Sequence, residues 1–368
     1  MAVQQTIAMK GGGYYARRTQ SASRMIDSQE ARFLEVLHET EADGDRPFVI
    51  ADYGAADGGT SLGLLRRGIA AQRARAPRRP VSVVYTDLPE ADFAFLFRML
   101  SGGEDGFDSY LDGHDVTASA CGISFHRPVL PRESVDLAFS ANAMHWLSEP
   151  VPIIKGHVHS VGAVGATLEH LRAQGLTDWR RLLTLRGREL RPGGRMMLLT
   201  FARTEDGRHL GKNDSDGIFD TLNALWTEMC ADGLITENEC ANTNFAQYYM
   251  TLSEVRQPFA EPDASGTGPG HDLVLQECSL HHFPCIYRRQ FERDGDAGAF
   301  ADAFVPNVRS WSERTFLNGV SPTRPAGQRA ALVDELYRRY ADRVRAHPDR
   351  HHMDYIFARV VCRKNAVA

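Results

Sequence analysis

The apolar residues of the first 200 positions fall into short continuous runs and longer runs with helical spacing. The continuous runs predict strands at 47–54, 81–89, 134–147 and 191–201. Helical spacing predicts helices at 61–76, 91–100 and 179–190, with another through Phe33, Leu34 and Leu37. Strands that alternate with helices are typical of an α/β fold with a parallel, doubly wound sheet. Ligands bind such sheets at the carboxyl ends of the strands, so polar residues after 52, 87 and 140 are candidates.

The pattern changes after residue 202, where helical spacing predominates. Helices are predicted at 218–234, 299–318 and 331–344, a loop at 261–272, and strands at 273–283 and 353–363. We therefore divide the chain into three parts. They are an N-terminal segment with a ligand-binding core (1–202), a mostly helical cap that forms the substrate region (203–350), and a last core strand (351–368). The strand at 273–283 is expected to return from the cap to the core.

The composition restricts the class of protein but says little about its activity. The 368 residues carry 42 Lys and Arg against 47 Asp and Glu, a net charge of −5, which gives no general attraction to nucleic acid or anionic membranes. Hydrophobic residues at 43% and charged residues at 24% exclude a mainly disordered chain. Six scattered cysteines form no CxxC pair, and no secretory signal or apolar run of about 20 residues is visible. We expect a cytoplasmic protein with no nucleic-acid or membrane partner.

Two of the candidate positions follow the first two strands. Asp52 to Gly59 is a run of small and acidic residues that would let the backbone approach a ligand, although it matches neither GxGxxG nor a P-loop. A tight strand-to-helix turn is the other interpretation of this run. Asp87 ends the second strand, where an acid can accept both hydroxyls of a ribose. The alternative for Asp87 is the N-cap of the following helix.

The third position follows the strand near residue 140. His145 and Trp146 offer an imidazole and an indole N–H, a pair that can hold a carboxylate. The alternative is a packed aromatic residue beside a hydrogen-bonded core histidine.

Several segments together resemble one family, the SABATH methyltransferases. In order they are MKGGGYYARRTQ (9–20), ADYGAADGG (51–59), TDLPEADFAFLF (86–97), SFHRPVLPRESVDLAFSANAMHWLS (124–148) and LRPGGRMMLLTF (190–201). ADGLITENECANTNFAQYYMTLSEV (231–255) and FVPNVRSWSERTF (304–316) resemble the family's cap. The resemblance covers nearly the whole chain. It implies a Rossmann-like class I methyltransferase sheet and an enzyme of secondary metabolism. That enzyme transfers a methyl group from S-adenosylmethionine (SAM) to a small carboxylic acid, or in some members to a ring nitrogen.

The resemblance also assigns cofactor-binding positions, of which Asp87 is the ribose-binding acid. SAM, which becomes S-adenosylhomocysteine (SAH), is expected to contact Lys10, Tyr15, Asp52, Gly54, Ala55, Thr60, Asp87, Leu88, Ser124, Phe125, Ser140 and Ala141. Thr60 stands where the family has Asn.

On the substrate side, the resemblance makes Trp146 the carboxylate donor, with His145 beside it. The family's carboxylate-binding Gln falls at Ala22, but Gln20 lies nearby and could replace it after a register shift. Asn142 stands where the family has a substrate-facing Tyr. The expected substrate contacts are Gln20, Asn142, His145, Trp146, Phe219, Val308 and Trp311.

A bound magnesium ion is doubtful on the same comparison. Some family members carry an acid near a metal where this chain has Asn242, and the next pair is reversed as Asn244-Phe245. The partner implied is a small-molecule acid, and because dimers are common among relatives a homodimer is one alternative. The sequence leaves open which acid is methylated.

Three rival functions use the same residues differently. A phenol, thiol or ring-nitrogen acceptor would need a base, and His145 is the candidate for that role. A nicotinamide dehydrogenase is disfavoured by the loop that lacks GxGxxG. A non-catalytic SAM-binding protein is disfavoured because both Asp87 and Trp146 are present.

Overall fold

The computed structural model describes residues 8–41, 46–111, 115–212, 217–260 and 272–365. Within these residues seven strands form one sheet, in the order β3-β2-β1-β4-β5-β7-β6. Neighbours from β3 to β5 are parallel, and β7 is antiparallel to both β5 and β6. The strands are β1 Phe48–Tyr53, β2 Val81–Asp87, β3 Val116–Gly122, β4 Val135–Ala141, β5 Leu190–Phe201, β6 Leu273–Phe283 and β7 Tyr355–Lys364. The predicted α/β, doubly wound class is confirmed.

Helices cover both faces of this sheet and form most of the chain after β5. The first six are α1 Tyr14–Arg18, α2 Gln20–Asp27, α3 Glu30–Glu39, α4 Leu62–Arg75, α5 Phe93–Leu100 and α6 Gly165–Glu189. The remaining six are α7 Ile218–Ala231, α8 Glu237–Ala241, α9 Leu252–Arg256, α10 Ile286–Asp294, α11 Ala297–Gly319 and α12 Ala326–Ala346. In the described parts of the chain, none of these helices is long and apolar enough to cross a membrane.

The central strands are apolar on both faces because each face carries a core. In β5, Met196 and Leu198 pack into one hydrophobic cluster, whereas Met197 and Leu199 pack into the other. Side chains alternate along a strand, so a strand covered on both sides requires a continuous apolar run. This requirement explains why the sequence predicts β5.

Several elements differ from the sequence-based expectation, since α1, α2, α8, α9, α10 and β3 were not predicted. β3 was missed because VTASACG contains few large apolar residues and lies at the sheet edge with alternate side chains exposed. α6 begins at Gly165, well before the predicted start at 179, because its first half is largely exposed and packs on the core mainly through Leu168 and Leu171. The strand predicted at 273–283 coincides with β6. The loop predicted at 261–272 lies almost wholly outside the described residues, and the division into core and cap stays an interpretation.

A buried ion pair joins α6 to the loop that precedes β4. Arg186 is 1% exposed and donates to Glu189 Oε1 at 2.7 Å and to the Phe125 carbonyl oxygen at 2.7 Å. Glu189 also accepts from the Tyr53 hydroxyl at 2.7 Å and from the Val129 N–H at 2.8 Å. The guanidinium lies 4.4 Å from the centre of the Tyr53 ring. One pair therefore fixes the end of β1, the end of α6 and the position of Phe125.

Replacing Arg186 with Met should lower the free energy of unfolding by about 3–5 kcal/mol, because Glu189 would stay buried without its counter-charge. Urea unfolding of the full chain measures the change. Arg338→Met is the matched control, since the Arg338 side chain is 60% exposed where it pairs with Glu335, and its loss should cost at most about 1 kcal/mol. Equal losses in the two variants would contradict the role given to Arg186.

Candidate active site

The strands β1, β2 and β4 are adjacent and parallel, so the loops that follow them meet at one edge of the sheet. Gly54 begins the first loop with φ at 76°, and its N–H donates to the Thr86 carbonyl oxygen at 2.8 Å. A Cβ at Gly54 would lie 2.2 Å from the Cβ of Ala143, which follows β4. Only glycine fits this close approach of three strand ends.

Asp87 lies at the end of β2 and faces this edge. Its Oδ2 accepts the Ala56 N–H at 2.6 Å, and its Oδ1 accepts the Leu88 N–H at 2.7 Å. The helix-cap interpretation of Asp87 is wrong, because the N-cap of α5 is Asp92, which accepts the Phe95 N–H at 3.0 Å. Burial raises the pKa of Asp87, while the two backbone N–H groups oppose that shift. Each oxygen retains a lone pair that could accept a hydroxyl group.

Two further carboxyl groups are buried here, Asp52 near the end of β1 and Asp57 in the loop that follows it. Asp52 accepts the Ser61 hydroxyl at 2.6 Å, and burial, with the nearby charge of Asp87, raises its pKa to about 7. Asp57 accepts the Ala16 N–H at 2.9 Å, and burial raises its pKa to about 6. A carboxylate held in such surroundings is stabilised when a cation binds beside it. The edge therefore suits a ligand that carries positive charge.

The N-terminal segment approaches the same edge through Tyr15. Tyr15 lines the cavity described below, and the next residue, Ala16, donates its N–H to Asp57 at 2.9 Å. Burial raises the pKa of Tyr15, and the charges of Asp57 and Asp87 raise it further. Lys10 does not face this edge. Its Nζ binds Glu313 Oε2 at 2.7 Å, and its N–H donates to the Ser310 carbonyl oxygen at 3.2 Å, so Lys10 ties the segment to α11.

The remaining predicted cofactor residues lie around the strand ends. Phe125 lies 3.6 Å from the position that a Cβ of Gly54 would take. The Ser124 hydroxyl accepts the His126 N–H at 3.3 Å, and the Ser140 hydroxyl donates to the Tyr53 carbonyl oxygen at 2.7 Å. Four others lie in the loops or at the strand ends without a side-chain hydrogen bond in the described residues: Ala55, Thr60, Leu88 and Ala141.

A cavity lies beside this edge and is lined partly by residues that come after β5 in the chain. It holds about 400 Å³ of space that no atom fills, part of which is continuous with solvent. Five predicted residues line it: Tyr15, Asn142, His145, Trp146 and Trp311. The rest of its wall is mainly apolar and includes Phe201, Leu210, Tyr249, Met353 and Tyr355. An apolar cavity with a few polar groups is the usual form of a small-molecule site.

Three substrate predictions are corrected by the structure. Phe219 and Val308 are fully buried and do not line the cavity. The Phe219 ring stacks on the His159 ring, with 3.8 Å between the ring centres, and packs edge-on against Trp311, with 5.9 Å between the ring centres. Gln20 is exposed at the start of α2, whereas Ala22 lines the cavity. Two positions apart on a helix differ by about 200° in direction, so the side chains of Gln20 and Ala22 point oppositely.

Polar atoms without partners lie where β4 meets the cavity. Asn142 has φ at 55°, and its Oδ1 is buried with no hydrogen bond among the described residues. The same holds for Nδ1 of His145, and burial lowers the pKa of His145 to about 3. Buried polar groups are rarely left unpaired, so these two atoms are available to hydrogen-bond a molecule in the cavity.

Trp146 is held by its backbone, with its N–H bound to the Ala143 carbonyl oxygen at 3.1 Å and its own carbonyl oxygen bound to His126 Nε2 at 3.0 Å. The indole N–H makes no hydrogen bond to a described residue, and the half-buried side chain lines the cavity as a possible donor.

Sequence reasoning missed Gln247 and Tyr249, which line the cavity from the segment that follows α8. Two backbone bonds join this segment to the loop after β4: Leu147 N–H to the Ala246 carbonyl oxygen at 2.8 Å, and Tyr248 N–H to the His145 carbonyl oxygen at 3.0 Å. The sequence offered one signal for Gln247, a single Gln inside the apolar run FAQYYM. The order of residues does not show in which direction that side chain points.

The arrangement has two connected halves with different chemistry. One half is a glycine turn with three carboxyl groups, and the other is an aromatic cavity with a small number of polar atoms. Tyr15 lies against both. Across the described ranges, no group of three or more His, Cys, Asp or Glu side chains is placed to hold a metal ion.

Comparisons with known proteins agree with this layout. A family model described as SAM dependent carboxyl methyltransferase matches residues 4–263. Indole-3-acetate O-methyltransferase 1 of Arabidopsis thaliana is 25% identical over 94% of this chain and 92% of its own length. Methyltransferase LUC1 of Fusarium sp. is 26% identical over 64% of this chain, and the match spans 60% of that protein. A solved structure of loganic acid methyltransferase with SAH has a TM-score of 0.73 at 18% identity, covering 97% of this chain and 99% of that one.

Replacing Gly54 with Ala should weaken SAM binding about tenfold or more, because the added Cβ forces the turn away from Ala143. Isothermal titration calorimetry measures the affinity. Gly102→Ala is the control, since Gly102 has φ at 73° but nothing lies within 4 Å of the added Cβ. The backbone conformation should cost each variant about 1–2 kcal/mol of stability, and Gly54→Ala should lose more because of the clash with Ala143, so SAM affinity is measured at a temperature where both variants are folded. An unchanged SAM affinity in Gly54→Ala would contradict the placement of the cofactor at this turn.

Proposed function

Since the chain belongs to the family of SAM-dependent carboxyl methyltransferases, the SABATH family, we propose that it forms the methyl ester of a small carboxylic acid. The single observation that carries the proposal is the indole of Trp146, which lines an aromatic cavity at the end of β4 and makes no hydrogen bond to a described residue. A half-buried N–H donor in a mainly apolar wall suits an anionic oxygen.

In this proposal the edge of the sheet holds SAM. Asp87 would accept the ribose hydroxyls, and Phe125, which packs next to Gly54, would hold the adenine. Asp52 and Asp57 would bind the charged end of the cofactor, and Tyr15 would contact it from the N-terminal segment. The glycine turn fits this assignment, since a side chain at Gly54 would close the space between β1 and β4. When bound, SAM supplies a methyl group made electrophilic by its sulfonium.

The substrate acid would lie in the cavity with its carboxylate at Trp146. A carboxylic acid has a pKa near about 4, so it is already ionised at neutral pH and needs no base. The chain therefore has to bind the carboxylate, orient it and exclude water, and aligned reactants can gain about 7–11 kcal/mol in this way. Because the carboxylate is already ionised, no residue of the chain would have to remove a proton from it during the transfer.

His145 supports a carboxyl acceptor over a phenol, thiol or ring nitrogen. It is 4% exposed, and burial lowers its pKa to about 3, so its ring is neutral and a poor proton acceptor at neutral pH. Its ring packs in the cavity wall against the rings of Phe201 and Tyr249, with 4.9 and 5.4 Å between the ring centres. Acceptors that must lose a proton find no base in His145. We infer that His145 shapes the cavity.

A methyl-transfer screen tests the proposal. The full chain is incubated with SAM carrying a labelled methyl group and a panel of aromatic and aliphatic carboxylic acids, each paired with its primary amide and with a phenol of the same size. We expect label in at least one acid and in neither of its neutral partners. Label in phenols or amines alone would overturn the proposal.

Replacing Trp146 with Phe should lower kcat/KM for the acid by roughly 10- to 150-fold, because a hydrogen bond to a charged group contributes about 1.5–3 kcal/mol. SAM affinity should stay within about threefold, since the indole faces the other half of the site. Asp87→Asn should do the reverse and weaken SAM binding with little effect on the KM of the acid. Initial rates and calorimetry separate the two quantities. Parallel losses of both in both variants would contradict this division of roles.

The pH dependence should appear in cofactor binding. Asp52, with its pKa at about 7, and Asp57, with its pKa at about 6, become neutral as the pH falls, and their attraction for a cationic ligand is then lost. The KM for SAM should therefore rise between about pH 8 and pH 6, and Asp52→Asn should lose most of that slope. The kcat at saturating SAM should stay flat over this range, because His145 titrates far below it. If kcat instead fell as the pH was lowered, with a midpoint at about pH 6.5, a histidine base would be indicated.

A further inference from the structure

Gln247 lies directly opposite Trp146 in an isolated antiparallel bridge. The two backbone bonds of this bridge flank the pair, from Leu147 to Ala246 and from Tyr248 to His145, so the pair itself is not hydrogen-bonded. In such pairs the Cα atoms are about 4.5 Å apart and the side chains point to the same side. Both side chains line the cavity. The backbone therefore places the Gln247 amide beside the Trp146 indole.

The orientation of the Gln247 amide is fixed by His159. The Nδ1 of His159 accepts the Val161 N–H at 3.1 Å, and a backbone N–H can only donate. Burial keeps His159 neutral by lowering its pKa, so the ring proton must lie on Nε2. That Nε2 lies 3.1 Å from Gln247 Oε1 and donates to it. If the amide were flipped, its NH2 group would face the Nε2–H of His159, and two donors would meet.

Tyr249 completes the restraint. Its hydroxyl donates to the same Oε1 of Gln247 at 3.0 Å, so both lone pairs of the amide oxygen are used. The amide nitrogen of Gln247 has no hydrogen bond to any described residue. Its two N–H groups are thus held as donors on a residue that lines the cavity.

We propose that the Gln247 amide is the second donor to the substrate carboxylate, next to the Trp146 indole. The proposal rests on the function proposed above and adds a specificity-determining residue to it. A carboxylate taken into an apolar cavity needs more than one hydrogen bond to replace its water. Ala22, which also lines the cavity, contributes only a methyl group. The two neighbouring donors on the bridge meet this need without a charged residue.

The consequence is selection for a charged acid over its neutral analogues. Gln247→Glu is the sharpest change, because a glutamate has the same size and can still accept from His159 and Tyr249. Only the group that faces the cavity changes, from a pair of donors to a negative charge. That charge repels a carboxylate but accepts hydrogen bonds from a primary amide.

The experiment uses the full chain loaded with SAH and titrates the best acid of the methyl-transfer panel and its primary amide at about pH 8. In Gln247→Glu, the affinity for the acid should fall about 30-fold or more, while the affinity for the amide is kept or improved. Gln174→Glu adds the same charge on an exposed part of α6 and should leave both affinities unchanged. Acid affinities in Gln247→Glu within about threefold of the natural chain would overturn the proposal.

Tyr249→Phe covers the case in which Gln247→Glu does not fold. It keeps the Gln247 amide and removes one of its two restraints, so the KM of the acid should rise several-fold at nearly constant kcat. An unchanged KM in this variant would also overturn the proposal. If the natural chain methylates no acid, the proposed function and this inference both fail. If it does so and the Gln247 variants bind the acid normally, only this inference fails.

Discussion

The acceptor side of the site depends on one short backbone pairing. The loop after β4, at 145–147, and the segment at 246–248 are about 100 residues apart in sequence and share two hydrogen bonds of 2.8 and 3.0 Å. Phe245 extends this contact through its N–H, which binds the Val158 carbonyl oxygen at 2.7 Å. These bonds bring a donor on each side of the pairing to the same wall of the cavity. Without them, Trp146 would face the cavity alone.

The cofactor side depends on a different constraint, the close approach of three strand ends. Gly54 lets the turn after β1 pass beneath Ala143, and Asp87 clamps that turn through the Ala56 N–H. Burial raises the pKa values of these three carboxyl groups, because it disfavours their charged forms. A cationic ligand stabilises the charged forms. The three groups therefore favour a cofactor with a positive charge, while the cavity next to them is mainly aromatic.

Local sequence patterns predicted the elements whose faces are uniformly buried or regularly amphipathic. β6 and the position of Asp87 at the end of β2 follow from such patterns. β3 does not, because it is held by its pairing with β2 and not by its own apolar residues. The same limit applies to the site. Phe219 and Val308 were assigned to the cavity, but the packing of the helices buries them behind it. Gln247 was missed because its orientation depends on His159, which lies 88 residues away.

The central claim is that the methyl group is transferred to a carboxylate oxygen, and the chemistry of the product tests it most directly. The labelled product of the full chain is isolated and treated with dilute hydroxide. An ester is cleaved under these conditions, so the account predicts that the label is released as methanol and the original acid is recovered. Label that stays bound to the product after this treatment would show a methyl ether, thioether or amine, and would contradict the account.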